Sequence, residues 1–77
     1  MLIGPGQEGI VLSVTPVSIH GDRYVDIVIA DASRPEDPDA RLSARLGSEA
    51  IEGDLAPGDR ILVEGFLGTV TGVRKIG

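Results

Sequence analysis

Most of the eleven glycines and five prolines of this 77-residue chain fall between runs rich in Val, Ile and Leu, and none of those runs can hold a helical crossover between parallel strands. Such a chain must build its core from short strands joined by tight turns. Residues 9–15 form the first expected strand. His20-Gly21-Asp22-Arg23 reads as a hairpin turn, because Gly-Asp sits between two β-rich runs. Residues 24–30 form the second strand, with Val25, Ile27 and Ile29 on one face and Tyr24, Asp26 and Val28 on the other. Residues 31–39 are a loop, since Pro35 and Pro38 remove ladder donors and Asp31, Glu36, Asp37 and Asp39 resist burial. Residues 40–46 alternate cleanly, with Leu42, Ala44 and Leu46 inward and Arg41, Ser43 and Arg45 outward.

Gly47 ends that third strand. Ser48 offers a helix cap ahead of Glu49 and Glu52, which predicts a short α-helix over 48–52 that stops at Gly53. A Pro57-Gly58 turn then leads into a fourth strand over 60–66, with Ile61 and Val63 inward. Gly68 marks a tight connection to a fifth strand over 69–76, in which Gly72 signals a bulge. On this register Val11, Val28, Leu62 and Val73 face outward as possible association contacts. The expected fold class is all-β, a small five-stranded barrel in the order β-β-β-short α-β-β. The barrel domain covers 9–77 and follows an N-terminal extension, 1–8.

Composition removes most chemistry. The chain has no cysteine and one histidine, His20, so disulfides, thiolate catalysis and multi-histidine metal sites are excluded within it. No serine lies in a nucleophile-elbow context, and the acidic loop lacks the EF-hand spacing. The glycine-rich stretches lack the Lys-Ser/Thr ending of a phosphate loop. The expectation is a non-enzymatic binding protein with no cofactor and no metal. Its start lacks a basic segment followed by an apolar run, and no stretch reaches the roughly 20 apolar residues of a membrane span. A cytoplasmic setting is therefore the default.

At Leu55-x-Pro57-Gly58-Asp59-Arg60-Ile61-x-Val63-x-Gly65 the chain resembles the approach to strand four in OB-fold nucleic-acid-binding domains. Residues 26–31 and 40–46 are similar to the strand two–strand three unit of the same family, so the resemblance covers about residues 9–76. A Pro-Gly-Asp turn before a Val-rich strand is also found in SH3-like barrels. The OB resemblance implies a ligand across the outer face of strands two and three. On this chain that face offers Tyr24, Arg41, Ser43 and Arg45, with Arg23 near the start of strand two and Phe66 extending the surface. Two arginines and a tyrosine that stacks on a base suit single-stranded DNA or RNA.

The net charge of −5 counts against phosphate binding. Asp26 shares the face and is placed to pair with Arg41 or Arg45, which would make the arginines ordinary surface partners. The alternative function is a protein-interaction or self-association module with no nucleic-acid binding.

Overall fold

The computed structural model describes residues 4–67 and 69–76. Strands β1 (Glu8–Ile19) and β2 (Asp22–Asp31) precede a one-turn 3-10 helix, Pro38–Ala40. Strand β3 (Arg41–Gly47) leads through a second such turn, Ser48–Ala50, into the two-residue strand β4 (Ile51–Glu52). Strands β5 (Arg60–Phe66) and β6 (Thr69–Lys75) complete the order. The protein is all-β. One six-stranded sheet runs β3-β2-β1-β5-β6-β4, antiparallel throughout except for the parallel pairing of β4 with β6.

The α-helix expected over 48–52 is replaced by Ser48–Ala50 and β4, so there are six strands where the sequence predicts five. The physical reason lies in length and partners. Only five residues separate Gly47 from Gly53, too few to repay helix nucleation. The cap position falls on Gly47, which has no side chain to accept a capping hydrogen bond. Ile51 instead pairs with Val73 and Glu52 with Arg74. The two ends of the sheet, β3 and β4, are thus separated by a single turn of chain, and among the described residues no ladder joins β3 to any strand except β2.

The core holds Val11, Ile27, Ile29, Leu46, Ile61, Val63 and Val73. Val14, Val25, Leu42, Ala44 and Val70 are among the half-buried residues packed against it. Each fully buried aliphatic side chain contributes roughly 1.5–3 kcal/mol by leaving water. Two of these residues correct the sequence register, because Val11 and Val73 are buried and do not face outward. Val28 and Leu62 are half-buried.

Bulges account for both corrections. In β1, Val11 pairs with Ile29 and Ser13 with Val28, leaving Leu12 as the extra residue. In β6, Gly72 pairs with Glu64 and Val70 with Gly65, leaving Thr71 as the extra residue. Each bulge brings two core residues three apart, Val11 with Val14 and Val70 with Val73, where strict alternation allows only even spacings. The second bulge needs glycine, since a Cβ on Gly72 would fall 2.5 Å from the Ala50 carbonyl oxygen.

Candidate functional site

The register of β2 on β3 sets the outward face row by row. Tyr24 lies opposite Gly47, Asp26 opposite Arg45, Val28 opposite Ser43, and Ala30 opposite Arg41. Inward Val25, Ile27 and Ile29 fix this orientation, because a one-residue slip would turn them to water. Arg41, Ser43 and Arg45 are exposed, while Tyr24, Asp26 and Val28 are half-buried. The two arginines stand four residues apart, roughly 13 Å along the strand, with the Ser43 hydroxyl between them.

Asp26 and Arg45 form the principal polar contact on this face. Arg45 Nε donates to Asp26 Oδ1 at 2.7 Å and Arg45 Nη2 donates to Oδ2 at 2.9 Å, a two-pronged guanidinium–carboxylate pair. These hydrogen bonds hold the Asp26 carboxyl below its ordinary pKa, against a smaller opposing effect of burial, and raise that of Arg45. Of the two partners open to Asp26, the fold selects Arg45. Arg41, opposite Ala30, makes no ion pair among the described residues.

A shallow depression of about 400 Å³ runs over Asp26, Ile27, Val28, Ser43, Ala44 and Arg45. A second, about 600 Å³, opens beside it at the β1–β2 hairpin, lined by Pro16, Val17, Arg23, Tyr24 and Ser48 among others. Tyr24 is half-buried, and its neighbour across the ladder is Gly47, which has no side chain to lie over the ring. The same corner is acidic as well as basic: Asp22 and Glu49 line a third depression of about 300 Å³ with Arg23 and Tyr24.

Five of the six expected site residues therefore lie on β2 and β3. Phe66 does not join them. It ends β5 opposite Thr69, whereas β5 meets β1 only at Glu8–Ile10 and Tyr24 meets β1 at Val17. Phe66 is 73% exposed, and Leu67, which the strand pattern does not single out, is 88% exposed. Leu67 also holds a φ of 52°, a left-handed conformation that costs a leucine about 1–2 kcal/mol. An apolar residue at the position before Gly68, where a tight hairpin favours Asn or Asp, is the signal in the sequence that points to it.

The acidic loop is occupied with its own geometry. Asp31 is buried, and its Oδ1 accepts from Ser33 N at 2.9 Å and Ser33 Oγ at 2.7 Å. Its pKa is lowered by those two hydrogen bonds, with Arg34 adding a weaker effect. Asp37 Oδ1 accepts from Asp39 N and caps the turn Pro38–Ala40. Among the described residues no three acidic, histidine or cysteine side chains are grouped as metal ligands, and no helix is long and apolar enough to cross a membrane.

No protein-family model, curated protein or solved structure matches this chain.

Proposed function

We propose that this chain is a cytoplasmic, non-enzymatic binding module of the OB type, whose outward β2–β3 face receives single-stranded nucleic acid, DNA or RNA. Several features of the pairing support a partly open barrel. The meander β1–β2–β3 leads back, through the turn after β3, to a short segment that runs parallel to β6. β1 pairs with both β2 and β5, which lets one strand turn the corner between the two halves of the sheet. The bulges at Leu12 and Thr71 supply the bending that closure demands.

One observation carries the functional reading: Arg41, Ser43 and Arg45 form an exposed row on the strand pair that this fold uses for ligands, with Tyr24 at its end. A strand laid along β3 meets a cation, a hydroxyl and a second cation, while the tyrosine ring offers a stacking surface to a base. The test is fluorescence anisotropy of labelled oligonucleotides across a range of salt. The wild type should bind, with affinity falling as salt rises. Arg41→Ala with Arg45→Ala should weaken binding and flatten the salt dependence by about 0.7 for each phosphate no longer neutralised. Equal affinity in the double variant sinks the assignment.

A second reading, a protein-interaction or assembly module, is favoured by Phe66 and Leu67. Two exposed apolar side chains at one hairpin end suit a protein pocket better than a phosphate backbone. Sedimentation across a concentration range tests the self-associating form. A size that rises with concentration and is restored to monomer by Leu67→Asn supports it, and a constant monomer contradicts it.

A further inference from the structure

Arg41 and Arg45 occupy the same face of the same strand, yet their surroundings differ in one respect. Arg41 faces Ala30 across the ladder, and Arg45 faces a carboxylate. Asp26 takes the Nε–Nη2 edge of the Arg45 guanidinium at 2.7 and 2.9 Å, an edge suited to a phosphate. The pair is formally neutral. A phosphate arriving at Arg45 meets a cation already compensated, and it gains less counterion release than the same approach to Arg41. The pair is also half-exposed, at 51% for the Arg45 side chain and 39% for Asp26, so an incoming anion can reach and displace it.

We infer that Asp26 is a built-in competitor for phosphate at Arg45, an affinity-limiting residue that keeps binding on this face weak and its dependence on salt shallow. The inference rests on the nucleic-acid reading of the β2–β3 face. On this account the site has two unequal cation positions. Arg41 is open to the ligand from the outset, and Arg45 becomes available only when Asp26 is displaced.

The experiment is a two-residue cycle on the full chain, using a labelled oligothymidylate of about 16 nucleotides, the upper range of one OB-type site. Asp26→Asn keeps the shape of the side chain and removes its charge. It should bind about three- to tenfold more tightly than wild type at moderate salt, with the slope of log affinity against log salt steeper by up to about 0.7, the value for one more neutralised phosphate. Adding Arg45→Ala to Asp26→Asn should return affinity to about the wild-type level, whereas Arg45→Ala alone, which leaves the Asp26 carboxylate without its partner, should weaken binding. Asp26→Ala provides a second neutral variant, and thermal unfolding of each protein checks that the fold is kept.

Binding by the wild type with no gain in either Asp26 variant overturns the competitor role and leaves the nucleic-acid reading standing. A gain that survives Arg45→Ala also overturns it, since the effect would then be a general loss of negative charge. No binding by any variant at low salt removes the nucleic-acid reading itself, and the competitor role falls with it.

Discussion

The two hairpins of this protein are alike in length, each leaving two residues between its last paired positions, and unlike in side chain. The β1–β2 hairpin turns at His20 and Gly21, both with positive φ, between the paired residues Ile19 and Asp22. That is the turn whose twist suits a two-residue connection, and histidine and glycine tolerate it. The β5–β6 hairpin turns at Leu67, also with positive φ, and holds Phe66 and Leu67 out into solvent. The first hairpin satisfies local conformational preference and solvation together. The second sets both aside, and such departures concentrate at functional or strained positions. The comparison separates a region shaped by folding from one whose shape folding alone does not explain.

Substitutions test this separation, and the largest effect belongs to the core beneath the first hairpin. Ile29→Ala, at a fully buried position, should destabilise the protein by about 2–5 kcal/mol, while Phe66→Ala should move the denaturant midpoint little. Chemical denaturation of both variants checks the contrast. An equally large loss for Phe66→Ala would mean that the second hairpin contributes to the fold after all. Gly72→Ala comes next, at about 1–3 kcal/mol destabilising, because its Cβ meets the Ala50 carbonyl and the parallel β4–β6 pairing must shift.

A smaller effect of opposite sign distinguishes the two turns. Leu67→Asn should stabilise by roughly 0.5–1 kcal/mol, as it removes a leucine from left-handed backbone, and His20→Asn should stabilise by less. Thermal unfolding in parallel reads the difference directly. A destabilised Leu67→Asn would contradict the view that this leucine is a local cost.

The smallest effect is the acid limb of stability. Asp26 and Asp31 both have lowered pKa values in the folded protein, so their contribution is present above the unfolded value near 4 and is lost as pH falls through the folded value. Asp31→Asn should flatten that limb more than Asp26→Asn, because Asp31 is buried and organises Ser33. Unfolding free energy measured between about pH 2 and 6 checks the order.

Much of the fold can be read from the sequence, and the reasons are local. Strand β5 falls at Arg60–Phe66 as expected, because a Pro-Gly turn precedes it and its inward Ile61 and Val63 alternate without interruption. The inward face of β3 is equally legible from Leu42, Ala44 and Leu46. The failures occur where the period breaks. Val11 and Val14 are both packed inward, and no rule of alternation separates that pattern from a misplaced strand until β2 supplies the register. The helix expected at 48–52 gives way to a pairing between Ile51 and Val73, residues 22 apart, which local propensity does not encode.

The candidate face is legible as a set of outward residues but not as a set of contacts. Asp26 is open in sequence to either arginine, and only the β2–β3 register places it across from Arg45. The separation of Phe66 from Tyr24 likewise depends on which part of β1 each hairpin meets. Alternation tells which side of a strand a residue takes. It does not tell which strand lies beside it.

The central claim is that the ligand face is the outward side of β2 and β3. Its most direct test is a titration of the isotope-labelled protein with single-stranded oligonucleotide at low salt, followed by backbone amide resonances. The account predicts saturable shifts concentrated at residues 23–28 and 41–45, with the Phe66–Thr69 hairpin end unmoved. Shifts confined to Phe66 and Leu67, or none at any concentration of oligonucleotide, would contradict it.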